Sequence, residues 1–166
     1  MVELLREQGV AYLVAAPEGQ TLDCKSPRIH PRDLATTLIA FANADGGRLL
    51  IGIEDDGTVS GLDPIADREQ VERLLRAAYE YCTPSVQVAY QFAPYRGRQV
   101  LVIDVPVSPR VHNHTNGRVY LRVLDRDQPL SVDETLRVAF AKGQASYETQ
   151  PVRGATLEDV DQDLIQ

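Results

Sequence analysis

Three consecutive acids follow one of the most apolar stretches of the chain. Glu54, Asp55 and Asp56 come directly after the run from Leu49 to Ile53. That run is short and apolar on both faces, which is typical of a strand at the centre of a covered sheet. Acids at the end of such a strand form either a functional site or a turn, and Asp-Asp-Gly is also ordinary turn sequence. Both interpretations stay open from the residues alone.

Two groups of basic residues could contact an anion such as phosphate. The first lies near the start of a predicted helix, whose N-terminus favours anions. The second has two arginines four residues apart with a tyrosine between them, which in one strand suits a phosphate track with a stacking ring. The alternatives are a solvated loop and a solvent-facing strand whose tyrosine covers the edge of the core. The candidate nucleic-acid-binding residues are Lys25, Arg28, Arg32, Arg118, Tyr120 and Arg122.

The elements that must position these residues follow from periodicity, prolines and glycines. We expect helices over 2–8, 31–43, from the Asp63-Pro64 start to Cys82, and from a Ser131 capping box to Gly143. We expect strands over 21–25, 49–53, 86–92, 99–105 and 118–123, with Arg96-Gly97 as a hairpin turn. This pattern predicts an α+β fold, a mixed sheet with packed helices, over residues 1–144. Residues 145–166 form an acidic tail or linker, with a short helix from Thr156.

The charge is unevenly distributed along the 166 residues. The net charge is −7, of which residues 145–166 contribute −4, which leaves −3 for the rest. A mildly acidic body can still carry a local basic face, but it is unlike a strongly basic DNA-coating protein. No apolar run reaches a membrane span and the N-terminus is not a secretory signal. Cys24 and Cys82 have no CxxC spacing, so we expect a cytoplasmic protein with reduced thiols.

Several of these stretches together resemble the Schlafen AlbA-like domain family. They are Ala40 to Asn43, Gly46-Gly47, Ile51 to Ile53 and Tyr120 to Val123, with Glu18 and the Asp23-Cys24-Lys25 triplet upstream. The resemblance covers roughly Ala15 to Gly143 and implies the AlbA-like core. Bacterial relatives are described as transcription regulators that bind DNA, and many continue into further domains. The resemblance therefore implies a module of a bacterial regulator that binds nucleic acid, in particular DNA. It also implies a further C-terminal domain in the native protein. We expect in addition that the protein is a homodimer.

The same resemblance implies an alternative activity. Vertebrate relatives look like metal-dependent RNases with three acids, and the matching positions here are Glu18, Asp23 and Asp55. Mg²⁺ or Mn²⁺ held by such carboxylates would activate water and neutralise phosphate charge. Glu18 and Asp23 have an odd spacing, so they converge only if Gly19-Gln20 forms a turn. The competing interpretation is that Asp23 pairs with a neighbouring arginine.

The remaining chemistry in the sequence is sparse. No phosphate-loop motif supports an ATPase, and His112 and His114 give only a weak zinc signal because no third ligand is evident. These residues establish no cofactor, and Mg²⁺ or Mn²⁺ is expected only for the nuclease alternative. A third interpretation is a protein-interaction or assembly domain, suggested by the pI of about 4.9 and by a terminal apolar stripe. That stripe consists of Leu157, Val160 and Leu164.

Overall fold

The computed structural model describes residues 4–143, in which helices and strands alternate up to the third helix and six strands then precede the last helix. The helices are α1 (Glu7–Ala15), α2 (Pro31–Asn43), α3 (Arg68–Glu80) and α4 (Val132–Ala141). The strands are β1 (Leu22–Lys25), β2 (Gly47–Ile51), β3 (Cys82–Thr83), β4 (Ala89–Tyr95), β5 (Arg98–Val105), β6 (Asn113–His114), β7 (Tyr120–Val123) and β8 (Arg126–Pro129). The chain divides into two units after Leu130, so α4 belongs to the second.

A four-stranded mixed sheet forms the centre of the first unit, with the strand order β1-β2-β5-β4. β1 and β2 are parallel, whereas the β2–β5 and β5–β4 pairs are antiparallel. Two small antiparallel pairs, β3–β6 and β7–β8, lie outside this sheet. The architecture is the α+β class that the sequence predicts.

Both faces of the sheet are covered. Leu49 and Ile51 of β2 pack with α2 and α3, while Leu50 between them packs with Val10 of α1. The alternation of side chains along a strand sends successive residues to opposite faces, so a strand covered on both faces must be apolar throughout. The prediction of a buried central strand is confirmed, although the strand spans Gly47–Ile51 and the predicted range was 49–53.

The Gly-Gly pair makes the turn between α2 and β2 in two different ways. Gly46 has a φ of 76°, and a Cβ there would lie 2.7 Å from the Val105 carbonyl oxygen. Gly47 instead lies against the Phe41 ring, where a Cβ would approach ring carbons to 2.8 Å. The first position needs the left-handed backbone and the second needs space.

The alternation of side chains breaks at Gly52. Its φ is 124°, and Ile53 packs on the α1 side of the sheet, opposite to Ile51. An unbroken strand through this segment would place Ile51, Ile53 and Asp55 on one face, because side chains two residues apart share a face. The structure corrects this grouping, since a backbone at positive φ no longer alternates.

Asn43, the last residue of α2, connects that helix to the second half of the first unit. Its side-chain amide nitrogen donates to the carbonyl oxygens of His112, at 3.0 Å, and Tyr120, at 2.8 Å. Its Oδ1 accepts from the His112 backbone N–H at 2.8 Å. One buried side chain thus fixes β7, which carries two of the predicted site residues.

The predicted elements agree best where their ends are marked by proline or glycine. α2 has the expected bounds, and the β4–β5 turn falls at Arg96 and Gly97, both with positive φ. The N-terminal helix is α1, which begins at Glu7 and ends at Ala15, well beyond the predicted end at residue 8. In the second unit, Ser131 and Glu134 form the predicted capping box of α4.

The start of the third helix and the pairing after β7 also differ from the sequence prediction. α3 begins at Arg68 because the Asp63 carboxylate instead accepts from the N–H groups of Ile65 and Ala66, forming a turn ahead of the helix. The strand β8 was not predicted. The predicted tail at 145–166 and its helix lie outside the described residues. No helix in the described range combines the length and apolarity needed to cross a membrane.

Candidate nucleic-acid interface

A tight turn brings Glu18 and Asp23 to one cavity. The Gly19 N–H donates to the Leu22 carbonyl oxygen at 3.1 Å, which folds the chain back between the two acids. Glu18 Oε2 then accepts from the Cys24 backbone N–H at 3.0 Å. Partial burial raises the pKa of Glu18, and the neighbouring Asp23 carboxyl raises it further. The two carboxyl groups converge through the turn that their odd spacing requires.

Asp23 is buried and neutralised by two cations. Its Oδ2 lies 3.2 Å from Lys25 Nζ and 3.0 Å from a terminal guanidinium nitrogen of Arg122. Only 6% of the Asp23 side chain and 1% of the Arg122 side chain are exposed. Asp23 therefore pairs with an arginine, as the competing interpretation of this acid expected, and the arginine is Arg122.

Arg122 holds four segments together from the interior. It forms a second ion pair with Asp127 Oδ1 at 2.8 Å and donates to the carbonyl oxygens of Gly19 and Leu22. Its guanidinium carbon lies 4.9 Å from the centre of the Phe41 ring. A guanidinium in this position is not available to a phosphate group. The structure therefore gives Arg122 an interior role, in contrast to the solvent-facing role expected from its strand.

The acids after β2 behave mainly as a turn. Asp56 Oδ1 accepts from the Thr58 N–H, and Glu54 bonds Ser60 Oγ at 2.6 Å and Arg28 at 3.0 Å. Asp55 is exposed and lines a cavity of about 340 Å³ together with Glu18, Asp23 and Lys25. We call this space the acid cavity. All three acids implied by the resemblance line it.

The acid cavity does not fit a divalent cation as it stands. Among residues 4–143, no group of three or more His, Cys, Asp or Glu side chains is arranged to hold a metal ion. Asp23 already receives two cationic donors on one oxygen, and a third positive charge would compete with them. The charge that Mg²⁺ or Mn²⁺ would supply is here supplied by Lys25 and Arg122.

A line of aromatic rings begins in the loop of residues 26–30, which carries Arg28 and which we call the basic loop. The ring centres of His30 and Tyr81 are 6.5 Å apart, those of Tyr81 and His114 are 6.1 Å apart, and those of His114 and Tyr120 are 6.3 Å apart. We call these four side chains the aromatic row. The guanidinium of Arg32, which is exposed, lies 5.9 Å from the Tyr81 ring centre. His30 is exposed, Tyr81 and Tyr120 are half-buried and His114 is buried, so the row meets solvent at its first, second and fourth rings, with Arg32 beside the second.

The row connects the two basic groups of the sequence. At its far end the Asn116 amide donates to the Tyr120 hydroxyl at 3.2 Å, and Asn116 Oδ1 accepts from the Arg118 N–H at 2.8 Å. Arg118 is exposed and precedes β7. The exposed Arg32 thus lies beside Tyr81, and Asn116 joins the backbone of the exposed Arg118 to Tyr120. Sequence reasoning missed Tyr81, because a tyrosine at the end of an amphipathic helix gives no signal of its own.

The buried histidines are structural. His114 is 1% exposed, and its Nε2 lies 3.0 Å from the Arg32 carbonyl oxygen while Nδ1 accepts from the Asn116 N–H. His112 contacts the Pro84 carbonyl oxygen and Ser108 Oγ, both at 2.7 Å. Their rings have separate partners, so the alternate spacing does not create a joint zinc site.

The two cysteines are unsuited to nucleophilic chemistry. Burial, with the nearby Glu18 and Asp23 carboxyl groups, raises the pKa of the Cys24 thiol to about 11. Burial alone raises the pKa of Cys82 to about 12. Thiols with such pKa values are protonated near neutral pH.

Comparison with known proteins gives a family and a fold. The family model described as Schlafen, AlbA_2 matches residues 18–131. The crystal structure of the DIP2311 protein from Corynebacterium diphtheriae is 23% identical, with a TM-score of 0.56, and the match covers 81% of this chain and 28% of that chain. The solution structure of the N-terminal domain of a RecG-related protein from Nitrosomonas europaea is 26% identical, with a TM-score of 0.48, over 76% of this chain and 93% of that one. No curated protein matches.

Proposed function

This chain belongs to the Schlafen AlbA_2 family, and we propose that it is a nucleic-acid-binding domain that holds a strand on the surface around the aromatic row. DNA is the form we expect, in a bacterial regulator, with a homodimer and a further domain as additional expectations. The observation that carries the proposal is the interleaving of exposed cations with ring side chains. Nucleic-acid strands offer phosphates and stackable bases at alternating positions, which such a surface matches.

The exposed arginines supply the phosphate contacts in this proposal. Arg32 lies beside Tyr81 within the aromatic row, Arg118 is joined through Asn116 to Tyr120 at its end, and Arg28 lies near His30 in the basic loop. Arg28 pairs with Glu54, but its side chain is 75% exposed. An exposed ion pair contributes little to stability, so Arg28 can exchange Glu54 for a phosphate at small cost. These contacts position a strand without reading its sequence.

Lys25 and Tyr120 have more limited roles in the proposal. The Lys25 side chain is 27% exposed and its charge is shared with Asp23. In the proposal it lies between the bound nucleic-acid strand and the acid cavity, and it contributes less to phosphate binding than the exposed arginines. Tyr120 is half-buried, with its hydroxyl bonded to Asn116, and offers a ring edge. Arg122 contributes by holding β7, which carries Tyr120, against β1.

Removal of Arg32 and Arg118, the two arginines linked to the aromatic row, tests the surface. We expect the Arg32→Gln/Arg118→Gln double variant to bind a fluorescein-labelled 20-nucleotide single strand about 20-fold more weakly than the unsubstituted chain, because two charge-assisted contacts are lost. Fluorescence anisotropy at 50 mM salt measures this. The matched control is Arg76→Gln/Arg96→Gln, which removes the same charge away from the aromatic row. Equal affinity of the two double variants would contradict the proposed surface.

Metal-dependent cleavage is the second candidate, and one observation favours it: Glu18, Asp23 and Asp55 line one cavity. Because Lys25 and Arg122 already neutralise Asp23, we expect Mn²⁺ to produce no cleavage of single-stranded RNA or DNA. A gel assay with the full chain and Asp23→Ala measures it. Cleavage by the full chain that Asp23→Ala abolishes would reverse the order of the two candidates.

The third candidate, a protein-interaction or assembly domain, depends on Leu157, Val160 and Leu164. These residues lie outside the described part of the chain, so this candidate remains a prediction from the sequence. Loss of a defined oligomer on truncation at Gly143 would support it.

A further inference from the structure

A second cavity, larger than the acid cavity, lies between the basic loop and α3. Its volume is about 540 Å³, within the range of small-molecule sites. The basic loop contributes Arg28, Ile29 and His30, the turn before α3 contributes Leu62, and α3 contributes Gln70 and Arg73. We call this space the α3 cavity. None of the roles assigned above uses Gln70 or Arg73.

Gln70 organises one wall of the α3 cavity. Its side-chain nitrogen donates to the carbonyl oxygens of Pro27, at 2.9 Å, and Ile29, at 3.2 Å. Its Oε1 accepts from a guanidinium nitrogen of Arg73 at 3.0 Å. Both donor hydrogens of the amide are therefore used by the loop, and its oxygen orients the arginine. An arginine held in this way loses less conformational entropy when it binds a ligand.

The charges that face the α3 cavity favour an anion. Arg28 and Arg73 contribute two positive charges and Asp67 one negative charge, while Glu54, which pairs with Arg28 in an exposed ion pair, is not among the lining residues. Asp67 Oδ2 accepts from the Asp63 backbone N–H at 2.7 Å, which holds this carboxylate in the turn before α3. The lining also includes Ile29, which is half-buried and apolar, and Leu62, whose side chain belongs to the core. Cations beside an apolar surface match a ligand with a phosphate and a flat apolar part.

We propose that the α3 cavity binds a phosphorylated nucleoside, with Arg73 and Arg28 on the phosphate and the base against Ile29. The ligand is either one nucleotide unit of a bound strand or a free mononucleotide. The strand form rests on the proposed function. The cavity shares Arg28 and Ile29 with the acid cavity, and its His30 begins the aromatic row. A strand on the row can therefore place one nucleotide in the cavity.

The experiment uses the full ¹⁵N-labelled chain and adenosine 5′-monophosphate. We expect saturable amide shift changes at Leu62 and Gln70. We expect Arg73→Gln to weaken the apparent affinity about tenfold, since a charge-assisted phosphate contact is lost. Arg76→Gln is the matched control, because Arg76 lies one turn further along α3, pairs with Glu72 and Glu80, and does not line the cavity.

Anisotropy with the 20-nucleotide strand separates the two sources of the ligand. A further loss of strand affinity in Arg73→Gln, but not in Arg76→Gln, supports the nucleotide unit of a strand. Unchanged strand affinity with saturable mononucleotide shifts supports a free mononucleotide. Absence of saturable shifts at Leu62 and Gln70, or equal response of both variants to the mononucleotide, overturns the proposal. Strand binding that persists in that case leaves the proposed function standing, so the two failures are distinguishable.

Discussion

Replacement of Arg122 by methionine will lower the free energy of unfolding by about 3–5 kcal/mol, the range for removal of one partner from a buried ion pair. Arg122 neutralises Asp23 and Asp127 and donates to two backbone carbonyl oxygens. Methionine fills similar space but leaves these acceptors without the guanidinium. Asp127 keeps only its bond from Thr37 Oγ1 among the contacts described for its carboxylate. Urea denaturation followed by circular dichroism measures the loss.

The matched control for this prediction is Arg126→Met on the neighbouring strand β8. Arg126 is exposed, and we expect its replacement to change stability by no more than about 0.5 kcal/mol. The triple variant Arg122→Met/Asp23→Asn/Asp127→Asn removes the uncompensated charges and is expected to regain part of the loss. A cost of Arg122→Met as small as that of Arg126→Met would contradict the interior role of this arginine.

Replacement of Asn43 by leucine will cost about 4 kcal/mol, because three buried backbone groups lose their partner at roughly 1–2 kcal/mol each. The groups are the N–H and carbonyl of His112 and the carbonyl of Tyr120. Since Asn43 ends α2 and fixes the start of β7, the same change should also weaken strand binding through displacement of Tyr120. Urea denaturation measures the first effect and anisotropy the second.

Asn43→Asp separates the hydrogen bonds from the packing at this position. The shape and the Oδ1 acceptor are kept, but the second oxygen faces two carbonyl oxygens that need a donor. We expect a loss of more than about 2 kcal/mol, since the second oxygen of this buried carboxylate has no donor and its charge has no cation. Stability of Asn43→Asp close to that of the unsubstituted chain would show that the amide donors do not hold β7.

The parts of the fold that were predictable are those with local chemical signals. Pro31 begins α2, Gly46 turns the chain after it, and Arg96-Gly97 closes the central hairpin. Ser131 and Glu134 identify the start of α4 by reciprocal side-chain bonds. Such signals act within a few residues, so the sequence alone carries them.

The interior role of Arg122 could not be predicted in the same way. A charged residue in an alternating strand normally faces solvent, because an unpaired buried charge is costly. Here Asp23, which is distant in sequence, and Asp127 on β8 together neutralise it. The segment after β7 contains two acids, Asp125 and Asp127, but Asp127 reaches Arg122 only because β7 and β8 form a hairpin. The sequence pattern did not predict that hairpin. The turn between Glu18 and Asp23 was foreseen only as a condition for their convergence.

The salt dependence of strand binding tests the central claim most directly. The proposed surface uses three to four cations on phosphates, so the slope of log K against log salt concentration should be about −2 to −3 for a single strand. Anisotropy of the unsubstituted chain between 50 and 200 mM salt should then show a roughly 15- to 60-fold loss of affinity. The Arg32→Gln/Arg118→Gln variant should have a shallower slope. An affinity that does not change with salt, or no binding at 50 mM, would contradict the account.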